Sequence, residues 1–206
     1  MKYYSQIQQD KIIDEYLKYK ENGFFIEIGA NDGINGSNTA FFEKFRNWKG
    51  ICIEPAPNEF KSLTENRTSI NINACVSNYN GESNFICIDG YSMMLSGLLE
   101  NYNQAHINRI NSEVHQHGGT VKQLKVPVKT LQSILDEHLI TEVDYCSIDT
   151  EGSEFEIVSS IDYHKTNIKI FSIENNYGET KIQEFLKTKG YSLAMKIQWD
   201  DIFIKI

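Results

Sequence analysis

Short apolar runs alternate along this chain with longer segments in which apolar residues recur every three or four positions. The run at residues 24–28 indicates a buried strand, and Ile12, Ile13, Tyr16 and Leu17 before it predict a helix over about residues 6–20. Ser5 and Gln8 have the spacing of a capping box for that helix.

The same alternation continues to the end of the chain. Further strands are predicted at 51–53, 72–76, 84–88, 126–128, 145–148, 168–173, 191–194 and 202–206. Further helices are predicted at 38–47, with Ser37 as N-cap, and at 58–66, 131–135, 154–160 and 180–189. This order predicts an α/β fold with a mostly parallel, doubly wound sheet, and Asp200 and Asp201 are expected to form a polar turn between its last strands.

Residues 89–123 differ from the rest in being rich in Asn, Gln and His. We predict a helical insertion with loops, acting as a lid over an acceptor, inside a single domain that spans residues 1–206. Its histidines, His106, His115 and His117, are interpreted as solvated loop residues. If one of them acts chemically, a general base is favoured over a metal ligand.

Composition narrows the classes of function. The net charge is −8 with dispersed lysines, which argues against a nucleic-acid partner, although a local pocket can still hold an anionic small substrate. The polar start and the lack of a long apolar run favour a cytoplasmic protein with no membrane span. The four cysteines form no CxxC pair, so we expect buried, reduced thiols.

Polar residues stand where the predicted strands end, and ligands of open α/β sheets bind there. Gly29, Gly33 and Gly36 do not have GxGxxG spacing, which argues against a nicotinamide-dependent dehydrogenase. Glu54 follows Gly33 by 21 residues (54 − 33) and can accept both hydrogens of a ribose diol. The glycine loop and this acid together favour a cofactor site.

Four stretches carry a family resemblance, in the order FFIEIGANDGINGSNTAFFEK, WKGICIEPAP, DYCSIDTEGSEFEIV and FSIEN. With the opening SQIQQD, they resemble the FkbM-type methyltransferases from about residue 5 to the end, apart from the insertion. Glu27, Gly29 and Gly33 fit the general pattern of an acid followed by alternating glycines, while Asn31 replaces the middle glycine. The resemblance implies a class I methyltransferase (Rossmann-like) fold, a seven-stranded sheet with an antiparallel last strand.

The resemblance also implies S-adenosylmethionine as cofactor and, usually, oxygen as the methyl acceptor. It assigns cofactor binding to residues that follow the strands: Glu27, Gly29, Ala30, Asn31, Gly33, Ser37, Asn38, Thr39, Glu54, Pro55, Val76, Ser77 and Asp149. In this assignment the glycine loop lies beside the methionine part and Glu27 holds its ammonium group. The N–H groups at 37–39 face its carboxylate, Glu54 takes the ribose, and residues 76–77 border the adenine.

Three acids are the candidates for catalysis, namely Asp149, Glu151 and Glu174. A sugar hydroxyl is weakly acidic, so methyl transfer to it needs a positioned base or a metal that acidifies the oxygen. We expect a base without a metal, although three such oxygens would also suit Mg²⁺ or Mn²⁺. Glu154 is expected to stabilise the start of its helix instead.

The predicted function is O-methylation of a sugar hydroxyl, on a nucleotide sugar or a precursor of a glycan or capsular polysaccharide. Two alternatives stay open: O-methylation of a non-sugar metabolite, and a non-catalytic domain that binds S-adenosylmethionine. Tyr91, Tyr177 and Trp199 can stack on a sugar ring, but such residues more often belong to a core.

Overall fold

The structure is a computed structural model that describes residues 2–176 and 178–206. Its strands, in chain order, are β1 (Phe24–Ile28), β2 (Lys49–Ile53), β3 (Ile70–Ile72), β4 (Cys75–Ser77), β5 (Gly81–Asp89), β6 (Gly97–Leu98), β7 (Thr120–Thr130), β8 (Glu142–Val143), β9 (Tyr145–Ile148), β10 (Asn167–Ile168), β11 (Ile170–Glu174), β12 (Tyr191–Ile197) and β13 (Asp200–Lys205). Its α-helices are α1 (Gln9–Tyr16), α2 (Ala40–Arg46), α3 (Pro57–Asn66), α4 (Gln104–His117), α5 (Leu131–Glu137), α6 (Glu154–Ser159) and α7 (Lys181–Thr188).

The main sheet has seven strands in the order β12-β13-β11-β9-β1-β2-β3. Neighbours from β3 through β11 pair in parallel, with β1 between β2 and β9. The last strand, β13, runs antiparallel to both β11 and β12. The predicted sheet, seven-stranded with an antiparallel last strand, is therefore confirmed.

Alternate residues of β1 pack on opposite faces of the main sheet. Ile26 and Ile28 join a buried cluster that includes residues of α5, α6 and α7. Phe25 joins a second buried cluster that includes residues of α1, α2 and α3. Helices therefore cover both faces, which explains why the central strands are almost continuously apolar in sequence.

A second sheet, with the strand order β4-β7-β5-β6, lies beside the main sheet. Because of this sheet, the structure differs from three of the sequence predictions. The strand predicted at 72–76 is two strands, because β3 pairs with β2 while β4 pairs with β7. The strand predicted at 126–128 is the end of β7, which pairs with β5 from Thr120 onward. The last residues of the predicted insertion therefore belong to this sheet.

Two predicted caps and one predicted turn are wrong. Gln8, at φ 70°, precedes α1, while the Ser5 hydroxyl donates to Asp10. Helix α2 begins at Ala40 with Thr39 as N-cap, although the Ser37 hydroxyl accepts a bond from the N–H of Ala40.

Asp200 and Asp201 are buried in β13 and do not form the predicted turn. Their carboxylates have partners in the sheet and in α1, which stabilises them there. Asp200 accepts bonds from Gln9 and Ser172, and Asp201 accepts one from Asn175.

The four cysteine thiols are buried and free, as expected. Within residues 2–176 and 178–206, none of the helices has both the length and the apolar character that a membrane span requires.

Candidate active site

A cavity of about 690 Å³, including its open mouth, lies at the carboxyl ends of β1, β2 and β9. Six of the residues predicted to bind a cofactor line it: Gly29, Asn31, Glu54, Pro55, Val76 and Asp149. The second sheet supplies an apolar wall that includes Phe85 and Leu98, and the insertion adds Met93 and Met94. The Sδ atom of Met94 lies 3.0 Å from the side-chain amide nitrogen of Asn31. We call this space the first cavity.

Gly29 lets the loop after β1 touch the end of β9. Its φ is +82°, and a Cβ at this position would lie 1.8 Å from the main-chain oxygen of Asp149. The N–H of Gly29 also donates to Ile53 at 3.0 Å, which ties the loop to β2. A side chain here would both strain the backbone and separate the strand ends that form the cavity.

Glu54 stands at the end of β2 with both oxygens held by main-chain donors. The N–H of Asn31 donates to Oε2 and the N–H of Ala56 to Oε1, each at 2.8 Å. Each oxygen keeps a lone pair for a further donor. Burial raises the pKa of Glu54 to about 7, partly offset by those two hydrogen bonds.

Glu59, in the first turn of α3, also lines the first cavity, and the sequence analysis missed it. Its Oε2 is buried and, among the described residues, has no hydrogen-bond donor. A buried acceptor without a partner is unfavourable by about 1–3 kcal/mol, so a donor on a ligand would stabilise it. The available signal was its position in the first turn of the helix that follows β2 and Glu54.

The structure does not bring Glu27 and residues 37–39 to the first cavity. Glu27 is buried on the opposite face of β1, where it accepts bonds from the Ser37 hydroxyl, the N–H of Asn38 and the Thr39 hydroxyl. Arg67, also missed from sequence, donates to Glu27 at 3.2 Å and to Glu43 at 2.7 Å. These contacts give Glu27 a stabilising role that needs no ligand.

Three further residues of the predicted set lie outside the lining of the first cavity. Ala30 is buried in the core between β1 and α2. Gly33, at φ +78°, packs against Leu63 and Arg67. Ser77 is buried at the end of β4, next to Val76 in the chain.

Asp149, Glu151 and Glu174 lie together, with one carboxylate oxygen of each within 4.8 Å of the others. Burial, and then the charge of Glu174, raises the pKa of Asp149 well above its usual range. Burial and the neighbouring charges raise the pKa values of Glu151 and Glu174 to about 8. We call these three residues the acidic triad, in which burial, together with repulsion between the charges, raises the affinity for protons.

A second cavity, of about 830 Å³, meets the first at Glu151, which lines both. Asp149 lines the first cavity and Glu174 the second, so the acidic triad lies between them. The insertion contributes Asn101, Asn103 and His106 to this second cavity. The segment predicted as a lid therefore borders both spaces.

His106 is not the solvated loop residue that the sequence suggested. It lies buried in α4, with its ring 4.2 Å from that of Tyr102. Its Nδ1 is 3.8 Å from Glu151, its Nε2 is 3.2 Å from the Leu95 oxygen, and burial lowers its pKa. His115 and His117 are exposed near the end of α4, in agreement with the sequence interpretation except that they are helical.

Two of the aromatic residues singled out in the sequence, Tyr91 and Trp199, do not line either cavity. Tyr91 is 70% exposed and packs against His117, and Trp199 lies in the turn before β13. Tyr177 falls outside the described residues. Phe155, which was not singled out, lines the second cavity, with the ammonium group of Lys181 3.5 Å from its ring centre.

Glu154 holds the loop before α6. Its carboxylate accepts bonds from the N–H groups of Thr150 and Gly152 and from the Thr150 hydroxyl. These bonds fix the loop that carries Glu151, which agrees with the stabilising role expected for Glu154.

A solved structure has a fold similar to the one described above. A methyltransferase FkbM from Methylobacillus flagellatus superposes with a TM-score of 0.51 and 11% identity, over 89% of this chain and 43% of that protein. The N-terminal domain of human METTL16 (TM-score 0.47, 13% identity, 96% and 67% coverage) is more distant. So is a precorrin-6y C5,15-methyltransferase from Geobacter metallireducens (TM-score 0.43, 11% identity, 95% and 84% coverage). This chain spans less than half of the length of the Methylobacillus flagellatus protein. The fold is that of the class I methyltransferases.

Sequence comparison identifies the family. No curated protein matches the chain. The profile of the methyltransferase FkbM domain matches residues 27–193, a region that holds both cavities' strand ends and the whole acidic triad. The chain belongs to the FkbM methyltransferase family.

Proposed function

We propose that the protein transfers the methyl group of S-adenosylmethionine to a hydroxyl group of a sugar. The observation that carries the proposal is the position of the acidic triad between two cavities. A methyl donor in the first cavity and an acceptor in the second would meet at these carboxylates. The family match supports methyl transfer, and the chemistry of the second cavity supports the acceptor class.

The first cavity suits the parts of S-adenosylmethionine. Glu54 would accept hydrogen bonds from the ribose hydroxyls, since its oxygens are fixed by main-chain donors and have lone pairs left. Val76, Phe85 and Leu98 offer an apolar wall for the adenine. Gly29 and Asn31 line the cavity where the methionine part would lie, and Glu59 offers a further acceptor for the nucleoside.

The acidic triad would accept the proton of the acceptor. In a direct displacement the acceptor oxygen forms a bond to the methyl carbon while the carbon–sulfur bond breaks, so the three atoms must be in line. The hydroxyl proton passes to a carboxylate of Asp149, Glu151 or Glu174 as the new bond forms. A raised pKa makes such a carboxylate a stronger base near neutral pH, and a positioned base typically contributes about 10²–10⁴-fold.

The same three oxygens also fit the ligand preferences of Mg²⁺ or Mn²⁺. The proposed reaction uses the carboxylates without a metal. Turnover measured in the presence of a chelator distinguishes this metal-free triad from one that holds a metal ion. Loss of turnover in chelator, restored by Mg²⁺ or Mn²⁺, would assign the triad to a metal.

Two measurements test the proposal. Calorimetry should detect binding of S-adenosylhomocysteine to the native protein and weaker binding to the Glu54→Ala variant. NADH should not compete with S-adenosylhomocysteine for the site. Incubation with methyl-labelled S-adenosylmethionine and a panel of sugars should then give a product whose label is on oxygen. Tight NADH binding without a response to S-adenosylhomocysteine would refute the cofactor, and label found solely on nitrogen or carbon would refute the acceptor.

A further inference from the structure

Carboxylates outnumber cations among the described residues that line the second cavity. Among its described lining residues are five carboxylates, those of Glu151, Glu154, Glu156, Glu174 and Glu179, and one ammonium group, that of Lys181. The formal sum is −4 (one minus five), and it is −2 if Glu151 and Glu174 are protonated (one minus three). The sign is negative in either state.

The cations near the second cavity do not reverse this sign, even when Arg109, which is outside the lining but acts on Glu151, is added to the sum. The ammonium group of Lys181 lies over the ring of Phe155, 3.5 Å from its centre. The imidazole of His106 is the other basic group of the lining, and burial lowers its pKa, which disfavours a positive charge there. Recognition of phosphate normally uses arginine forks or clustered lysines, and the described lining has neither.

The polar groups of the lining are chiefly hydrogen-bond acceptors. Carboxylates accept from hydroxyl and ammonium groups, and the amides of Asn101, Asn103 and Asn176 can both accept and donate. Phe155 adds an aromatic face beside them. A polyhydroxylated molecule can donate to the acceptor positions that remain open on these groups, whereas an anion adds a further negative charge.

We propose that the acceptor is a neutral or amine-bearing sugar that carries no phosphate within the second cavity. This inference rests on the proposed function and narrows its acceptor. It disfavours nucleotide sugars, whose diphosphate adjoins the sugar ring, as well as RNA. A positive amine on the sugar would gain attraction from Glu156 and Glu179 at the rim.

The test compares matched sugars on protein saturated with S-adenosylhomocysteine. Saturation-transfer NMR would measure glucosamine against glucosamine 6-phosphate, and glucose against glucose 6-phosphate and uridine diphosphate glucose. We expect the unphosphorylated member to bind at least about tenfold more tightly in each pair, because the carboxylates of the lining repel the phosphate. The double variant Glu156→Lys/Glu179→Lys should reduce or invert that ratio, with S-adenosylhomocysteine affinity unchanged.

The other possible results contradict either this inference or the proposed function. Tighter binding of the phosphorylated sugars, or a ratio that charge reversal leaves unchanged, would overturn the inference. Failure of every unphosphorylated sugar to bind the loaded protein would also overturn it, while leaving the cofactor assignment intact. Failure of S-adenosylhomocysteine itself to bind would instead count against the proposed function.

Discussion

Gly29 is the residue at which the candidate site tolerates a side chain least. In Gly29→Ala, the new Cβ would meet the Asp149 oxygen at 1.8 Å, so the end of β9 must move away from β1. Gly190→Ala is a matched control, because Gly190 has φ +85° with nothing within 4 Å. The control isolates the backbone strain, which is about 1–2 kcal/mol for a non-glycine residue.

Urea unfolding and calorimetry with S-adenosylhomocysteine would compare these two variants. We expect Gly29→Ala to lose at least about 3 kcal/mol of unfolding free energy and to bind S-adenosylhomocysteine weakly, because large losses arise where packed backbone must shift. Equal losses in the two variants would contradict the close approach of the loop to β9.

Glu54 should make cofactor binding depend on pH. Its pKa is raised to about 7 by burial, and ribose hydroxyls donate to the ionised form, so affinity should rise from pH 5.5 and level off above about 8. Calorimetry with S-adenosylhomocysteine should show this rise in the native protein, and a weak, flatter response in Glu54→Gln. Glu151→Gln, which leaves Glu54 in place, should keep the rise. A rise that persists unchanged in Glu54→Gln would assign it to another group.

The same raised pKa lowers stability as pH increases. The folded state holds the Glu54 proton that the unfolded chain releases between pH 4.5 and 7, so the stabilisation present below pH 4.5 is lost through that range. The loss corresponds to about 3 kcal/mol at 1.36 kcal/mol per pKa unit. This loss of stability is consistent with a role of Glu54 in binding a ligand and not in stabilising the fold.

At the scale of elements, Arg67 joins three of them on the face of the sheet away from the first cavity. It follows α3, and its guanidinium contacts Glu27 of β1 and Glu43 of α2 with its side chain fully buried. Arg67→Met would leave Glu27 buried without its cation, and breaking such a pair typically costs about 3–5 kcal/mol. Urea unfolding should show that loss, against less than about 1 kcal/mol for Lys129→Ala, whose pair with Glu137 is exposed. A small loss in Arg67→Met would show that the network is not stabilising.

The insertion should respond to the two ligands in two separate segments. Met93, Met94 and residues 96–98 line the first cavity, whereas residues 101–106 border the second. Hydrogen exchange should therefore slow at 93–98 with S-adenosylhomocysteine alone, and at 101–106 when an acceptor is added. Strand β12, which lines neither cavity, is the internal control. Unchanged exchange in both segments under saturating ligands would contradict a lid.

Over the whole molecule, the sequence pattern predicted the main sheet because its strands are apolar on both faces. It did not predict that the strand at 72–76 divides into β3 and β4, because the choice of a partner strand leaves little apolar signal. It also predicted β7 too short, because many residues of that strand are exposed and give little apolar signal. The acids at strand ends were predictable because topology brings those ends together. The burial of Glu27 was not, because a carboxylate on that face of β1 is stabilised by Arg67, which is distant in the chain.

Turnover of the carboxylate variants tests the central claim most directly. Transfer of labelled methyl groups to the sugar acceptor would be measured for the native protein, Asp149→Asn, Glu151→Gln and Glu174→Gln, each checked for S-adenosylhomocysteine affinity. We expect turnover to fall by about 10²–10⁴-fold in at least one variant, with that affinity largely retained, because we propose that the triad removes the hydroxyl proton. Near-native turnover in all three variants would contradict the account and place the base elsewhere.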